Sequence, residues 1–297
     1  LHGTVRRQLK TTYSYPLPHV VFDFLQAGLQ TITSDLAPEQ IARICGIGIA
    51  APLEIWNWHE TVGAPESELS AWKEVEYDVE VARFSALPVS IINDATAACQ
   101  AEHMYGRGRE FRDYAYFYVG AFIGGGVVLN HSVYDGHQRN AGALGSLRSI
   151  GPDGTSRQLI DSASIYLLEH DLKQAGHDPL RLWNPAQDWA EFADLVDPWI
   201  EQTALEIAKA SLSTCAVIDF EAILIDGAFP EAVKTTLVDK VRAHIKTQDI
   251  RGLIPPRIEN GVIGVNARAV GAACRPIITR FLLNTNVGIS LDAPVIG

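Results

Sequence analysis

The stretch that decides the fold is YAYFYVGAFIGGGVVL, residues 114 to 129. It opens with six aromatic or small apolar residues and continues with four glycines among β-branched residues. We expect a strand, a sharp turn and a second strand, because glycine admits positive φ and lets a ligand approach the backbone amides. Phe122, inside the turn, would crowd an anion drawn to those amides, and Ala121 offers no hydroxyl to help hold one.

Composition places the chain among globular proteins with two domains. It has 297 residues, of which 47% are hydrophobic and 20% charged. The net charge of -11 argues against this polypeptide itself neutralising a nucleic-acid backbone. No apolar run approaches the roughly 20 residues needed to cross a bilayer. Single cysteines without a C-x-x-C pair predict reduced core thiols and a cytoplasmic protein; they are Cys45, Cys99, Cys215 and Cys274.

The first third of the chain alternates between helix and strand patterns. Residues 1–13 indicate a turn followed by a strand whose hairpin partner would lie upstream, and residues 18–32 have a helical apolar spacing. A buried strand is predicted within 42–52. Residues 87–106 then give an apolar run, the polar pair Asn93 and Asp94, and a helix from about Ala95. Strand, polar tip and helix are typical of a ligand site at the carboxyl edge of a sheet.

The second half repeats this alternation. A helix around residues 200–215 should bury one face, which consists of Ile200, Ala204, Ile207, Ala208, Ser211, Leu212 and Cys215. The strand AILIDG at 222–227 and a helix from Pro230 follow, and a late helix covers 266–283. We predict two α/β lobes, 1–116 and 117–280, with the boundary near 114–118. A final helix at about 281–297 would pack back on the first lobe.

Four segments in order give the chain a family resemblance: GIGIAAP (46–52), INDATAACQAE (92–102), VGAFIGGGVV (119–128) and YDGHQRNAGALGS (134–146). Together they resemble the ROK family, named for repressor, open reading frame and kinase. The likeness continues through GPDG (151–154), LIDSAS (159–164), ILIDGAFP (223–230) and NARAVGAAC (266–274). It implies a two-lobed fold of the actin and sugar-kinase type, which is ribonuclease H-like, with a cleft between the lobes. Its members are ATP-dependent sugar kinases or sugar-sensing transcription factors.

The resemblance gives Asp94 the clearest chemical role. In the kinases the matching aspartate takes a proton from the sugar hydroxyl that attacks the γ-phosphate, and Asn93 would hydrogen-bond neighbouring hydroxyls. The alternative is that both residues simply cap the helix that follows. The resemblance favours ligand contact.

Other positions depart from the family's pattern. Its A-G-E-x-G-H motif has Ala143 and Ser146 in place of a sugar-binding glutamate and a zinc-binding histidine. The cysteines of its zinc motif are missing from 151–164, so we expect no zinc. A further sugar-binding glutamate aligns with Ile160, and the adjacent Asp161 could either substitute for it or act as a surface or capping residue.

Two loops remain as candidate sites. Residues Gly120, Ala121, Phe122, Gly124 and Gly125 occupy the position of the kinases' second phosphate segment, which resembles G-T-G-I-G-G-G, so it is degenerate here. The alternative for its glycines is a tight turn packed closely against a helix. His137 and Asn140 could contact a ligand, but the residues of their loop favour the alternative, a plain turn built on Asp135 and Gly136.

The leading hypothesis from these residues is a sugar-sensing effector domain of a ROK-type transcriptional regulator with degenerate kinase machinery. Its ligand would be a sugar or sugar derivative, DNA would be read only by an upstream helix-turn-helix, and the assembly would be a homodimer without membrane contact. The alternative is an ATP-dependent hexose or amino-sugar kinase with Asp94 as base, which alone would require ATP and magnesium. A binding module for a more apolar, non-sugar ligand is the third possibility.

Overall fold

The computed structural model describes residues 3–13, 15–59, 63–151, 154–184 and 188–282. Contacts divide these residues into two compact units. The first unit holds residues 3–94 and 272–282, and the second holds residues 95–271. The helix predicted at about 281–297 lies outside the described residues apart from its first two positions.

The first unit is built on a parallel pair of strands, β1 (Ile47–Ala51) and β2 (Val89–Asn93). The strands pair in register from Ile47 with Val89 to Ala51 with Asn93. The helices of this unit are α1 (Pro18–Thr33), α2 (Pro38–Ile41), α3 (Glu66–Ser70) and α4 (Tyr77–Ala82). Its buried core consists of Phe22, Ile47, Ala64, Leu69, Trp72 and Val81. The helix and both strands predicted for this region are confirmed.

The strand predicted within residues 1–13 is wrong for the described part, residues 3–13, which has no regular secondary structure. Arg7 instead forms an ion pair with Asp35 and donates to the carbonyl of Thr31, near the end of α1. Because Arg7 is bound at the C-terminal end of α1, this segment lies against α1 and does not pair with a strand.

The second unit contains a five-stranded sheet in the order β5-β4-β3-β8-β9. Its strands are β3 (Tyr114–Val119), β4 (Ile123–Leu129), β5 (Ser132–Val133), β8 (Ala222–Gly227) and β9 (Arg257–Asn260). β3 and β4 are antiparallel, as residues 114–129 predict, whereas β8 runs parallel to both β3 and β9. A separate short hairpin joins β6 (Arg148–Ile150) and β7 (Ser156–Gln158).

Five further helices are α5 (Asp94–Tyr105), α6 (Ile165–Gln174), α7 (Ala193–Val217), α8 (Glu231–Ile245) and α9 (Ala267–Phe281). They belong to the second unit except for Asp94 of α5 and residues 272–281 of α9, which belong to the first. All seven residues predicted to share one face of the 200–215 helix are buried in α7. The hydrophobic period therefore located this helix and its inner face correctly.

The division between the units differs from the predicted boundary at 114–118, since it falls between Asp94 and Ala95. The reason is close packing of α5 on β4. A Cβ on Gly124 would stand 2.7 Å from the Cβ of Ala95, and one on Gly126 would stand 2.5 Å from the Cβ of Cys99. Almost all of α5 therefore belongs with the larger sheet.

Two further expectations concern membranes and thiols. Among the described helices, none combines the length and the apolar character needed to span a bilayer. All four cysteines carry free thiols; three are buried and Cys45 is half-buried. The predicted core position is confirmed for Cys99, Cys215 and Cys274 and is wrong for Cys45.

Candidate functional site

Asn93 and Asp94 lie at the turn from strand to helix in the first unit. Asn93 is the last residue of β2, Asp94 is the first residue of α5, and both are half-buried. The predicted order of strand, polar pair and helix is therefore confirmed. A carboxylate in the first turn of a helix is favoured electrostatically and remains within reach of a ligand at the strand end. The position suits both the capping and the ligand-binding interpretation.

The candidate phosphate loop joins β3 to β4 and is tied to the first turn of α6. The N–H of Ile165 donates to the carbonyl of Gly120 at 3.0 Å, and the N–H of Tyr166 donates to the carbonyl of Ala121 at 3.1 Å. In a trans peptide the N–H points opposite to the C=O of the same plane. The N–H groups of Ala121 and Phe122 therefore point away from α6, side by side.

Ser164, the residue before α6, also holds this loop in place. Its hydroxyl accepts the N–H of Ile123 at 3.0 Å and donates to the carbonyl of Ile160 at 2.7 Å. Its own carbonyl accepts the indole N–H of Trp199 at 3.0 Å. Because Ser164 is fully buried, the loop is held by satisfied hydrogen bonds on the side that faces α6.

Phe122 lies against α6. Its ring centroid is 5.3 Å from that of Tyr166, with the ring planes tilted by 54°. Both side chains are half-buried. The sequence predicts that Phe122 fills the space in front of the loop amides, which is the side of the loop away from α6. The observed ring contact of Phe122 is instead with Tyr166 of α6, the helix to which the loop carbonyls point.

The glycines after Phe122 are required by packing. None of Gly120, Gly124 and Gly125 has a left-handed φ. A Cβ on Gly125 would stand 2.4 Å from the carbonyl oxygen of Tyr116. A Cβ on Gly124 would stand 2.7 Å from the Cβ of Ala95 on α5, so the space there is too small for an alanine side chain. Close packing therefore accounts for three glycines whether or not a phosphate binds: Gly124 and Gly126 pack against a helix, the alternative given above, and Gly125 packs against Tyr116 of β3 and Leu144.

The loop with His137 and Asn140 is a compact turn. The carbonyl of Asp135 accepts the N–H of Ala141 at 3.0 Å, and Gly136 has a φ of 77°. His137 is exposed and Asn140 is half-buried. The geometry is that of the plain turn considered above, and ligand contact by either side chain stays a prediction.

The positions that lack the family's sugar-binding groups differ in exposure. Ala143 and Ser146 are exposed, whereas Ile160 is 7% exposed. Asp161 accepts the N–H of Gln158 at 3.1 Å and so caps the short 3-10 turn at 159–161. Asp161 therefore acts as a capping residue in this structure, which was one of its two predicted roles.

Sequence reasoning missed three buried carboxylates in the second unit, Glu102, Asp226 and Glu206. Glu102 is fully buried on α5 and accepts three backbone N–H groups, from Arg107, Val262 and Ile263, at 2.8, 2.9 and 3.2 Å. Burial raises the pKa of Glu102, although these donors favour its charged form. The carboxylate joins α5 to the loop that leads into α9.

Asp226, the second buried carboxylate, lies near the end of β8. It accepts the N–H of Gly264 at 2.7 Å and that of Gly227 at 2.9 Å, and its carboxylate is 3.4 Å from the Nζ of Lys234. Burial raises the pKa of Asp226, and the nearby Lys234 opposes that rise. An acidic residue inside the apolar run AILIDG was the one sequence signal for it.

Comparison with known proteins identifies the class. The ROK family profile matches residues 8–156, half of the chain, and the chain belongs to the ROK family. It is 30% identical over 191 residues to the bifunctional enzyme NanE/NanK of Brucella melitensis, covering 63% of this chain and 35% of that protein. The chain thus spans about a third of the length of this relative. Most of the named curated relatives are sugar kinases.

Solved structures confirm the predicted α/β fold of the actin and sugar-kinase type. A ROK family glucokinase from Streptomyces griseus, in complex with glucose and AMPPNP, matches with a TM-score of 0.65 at 18% identity over 88% of both chains. A ROK family transcriptional regulator, a homologue of the E. coli MLC protein, matches with a TM-score of 0.51 at 22% identity, over 67% of this chain and 54% of that one. At these identities the likeness establishes the fold alone.

Proposed function

We propose that this chain is a sugar-binding ROK domain and that it phosphorylates a hydroxyl of its sugar with ATP. The observation that carries the proposal is the strand-to-helix turn at which Asn93 and Asp94 stand. The kinase names of the relatives favour this function over the regulator hypothesis. The domain's substrate is proposed only as a class, a hexose or an amino sugar.

In the proposed reaction each residue has a simple task. Asp94 accepts the proton of the attacking sugar hydroxyl, and Asn93 holds a neighbouring hydroxyl by hydrogen bonds. The ATP phosphates would face the N–H groups of Ala121 and Phe122, which both point away from α6. Backbone amides aligned in this way suit an anion. ATP supplies the transferred phosphoryl group.

A second candidate, the effector domain of a sugar-responsive transcriptional regulator, is favoured by a different observation. Three positions that would hold polar groups toward the sugar or its surroundings carry Ala143, Ser146 and Ile160, and Ala121 lacks the loop hydroxyl. A chain that binds without turnover tolerates such losses better than an enzyme does, because catalysis depends on groups placed against the transition state. DNA contact would then belong to a separate segment of a homodimer.

Calorimetric titration with ATP and magnesium, and with hexoses, amino sugars and acidic sugars, separates the two candidates when it is combined with a coupled phosphorylation assay. The kinase proposal expects turnover that disappears in Asp94→Asn and persists in Asp78→Asn, which changes an exposed aspartate of the same unit. Sugar binding without ATP binding or turnover would overturn the kinase proposal and support the regulator. Binding of neither sugars nor ATP would refute both candidates.

A further inference from the structure

The β6–β7 hairpin is anchored in an unusual way. Each of its strands has three residues, and the two strands form an isolated sheet. Ser149 is the one buried side chain among these six residues, while its neighbour Ile150 is 70% exposed. A two-stranded hairpin is marginally stable alone and normally packs an apolar face. This hairpin turns a hydroxyl inward instead, so its position depends on a polar contact.

That contact is with Glu206 on α7. The hydroxyl of Ser149 donates to Oε2 of Glu206, whose side chain is only 3% exposed, and the Nζ of Lys209 lies 2.8 Å from Oε1. A hydrogen bond to a carboxylate is stronger and more directional than one between neutral groups. The hairpin is thereby joined to the longest helix of the unit, 57 residues away along the chain.

The resemblance assigns a structural zinc to this part of the family's fold, but the residues here do not fit one. Ser146 stands in the place of the histidine, and residues 147–164 contain neither cysteine nor histidine. Within the described part of the chain, no three His, Cys, Asp or Glu side chains come together in a way that could hold a metal. Tetrahedral zinc needs thiolate, imidazole or carboxylate ligands in such a group.

We infer that Glu206 is a positioning residue that holds the hairpin and its flanks, residues 146–151 and 154–160, through Ser149, without a metal. The hairpin begins after Ser146, which aligns with the family's histidine, and ends before Ile160, which aligns with a sugar-binding glutamate. The N–H of Leu159 donates to the carbonyl of Leu147 at 2.8 Å and closes the base of the hairpin. Holding the hairpin therefore holds both flanks. The consequence for a ligand rests on the proposed function, whereas the anchoring does not.

Hydrogen exchange of the backbone amides tests the anchor. Ser149→Ala and Glu206→Ala should speed exchange at residues 148–151 and 154–159 at least tenfold, with exchange at 114–119 unchanged. Glu206→Gln should retain the protection, because its amide oxygen can still accept from Ser149. Ser156→Ala is the matched control, since it removes an exposed hydroxyl from the same hairpin. If Glu206→Ala fails to fold, Ser149→Ala decides alone.

Metal analysis and ligand binding complete the test. We expect purified protein without stoichiometric zinc and an exchange pattern that a chelator leaves unchanged. Unaltered exchange in Ser149→Ala, or faster exchange at 148–151 and 154–159 after chelation, would overturn the inference. For a hexose or amino sugar that binds the unchanged protein, Ser149→Ala should weaken binding at least fivefold and Ser156→Ala should not. If no sugar binds the unchanged protein, the proposed function fails, and the exchange result still decides the anchor.

Discussion

Replacing Glu102 by alanine should destabilise the second unit strongly, because this one buried carboxylate accepts three backbone N–H groups. In Glu102→Ala the N–H groups of Arg107, Val262 and Ile263 lose their acceptor. A hydrogen bond to a charged group is worth about 1.5–3 kcal/mol, and hydration of the freed N–H groups together with relief of the buried charge offsets part of the sum. We therefore expect the free energy of unfolding to fall by about 3–5 kcal/mol.

Urea unfolding followed by circular dichroism measures this loss, and Glu102→Gln refines it. The glutamine oxygen can still accept from Val262 and Ile263, so this variant should lie between the unchanged protein and Glu102→Ala. Glu110→Ala serves as the control. Its carboxylate is exposed and pairs with Arg107, so the change should cost less than about 1 kcal/mol. A loss below about 1 kcal/mol in Glu102→Ala would refute the assigned role.

The raised pKa of Glu102 predicts the direction in which stability changes with pH. An acid whose pKa is higher in the folded chain binds its proton more tightly there. The stability that it contributes is present below its unfolded pKa, about 4.3, and is lost as the pH rises through the folded pKa. Glu102→Gln should therefore show a flatter decline of Tm with rising pH in this window. An unchanged slope would show that Glu102 does not titrate as the burial argument requires.

Three further changes test the packing and the turns of the second unit. Gly126→Ala would bring a Cβ within 2.5 Å of the Cβ of Cys99 and should cost about 1–3 kcal/mol in urea unfolding, so an unchanged midpoint would contradict the packing assigned to the glycine run. His131→Gly should raise the Tm by relieving a φ of 58°, worth about 1 kcal/mol, and a lowered Tm would show that the histidine side chain matters more than its backbone. Burial lowers the pKa of His103. The stability that His103 contributes to the folded chain is therefore present above the unfolded pKa of about 6.5 and is lost as the pH falls through the folded pKa. His103→Gln should make the fall of Tm at acidic pH less steep, and an equally steep fall would contradict this.

Much of the fold could be predicted from the sequence because the spacing of hydrophobic residues indicates where helices and strands lie and which face they bury. The stripe from Ile200 to Cys215 identified α7 and its buried face, and the aromatic run before Gly120 identified β3. The unit boundary was harder to predict because it depends on which sheet a helix packs against. The small residues Ala95 and Cys99 of α5 fit against the glycines of β4. The local sequence around Ala95 and Cys99 does not indicate that β4 is the strand they contact.

The candidate site divides along the same line between local and long-range information. Asn93 and Asp94 were found because a polar pair between an apolar strand and a helix is a local pattern. The glycine run was ambiguous because a phosphate and a closely packed helix both demand the absence of a Cβ, and only coordinates show that α5 already makes this demand. Ser149 and Glu206 could not be found at all. A serine beside an exposed isoleucine and a glutamate on a long helix are individually ordinary, and a polar contact between positions 57 residues apart imposes no period on either segment. If that contact has replaced a metal, the sequence shows the replacement only through the missing metal ligands, because the contact itself leaves no pattern there.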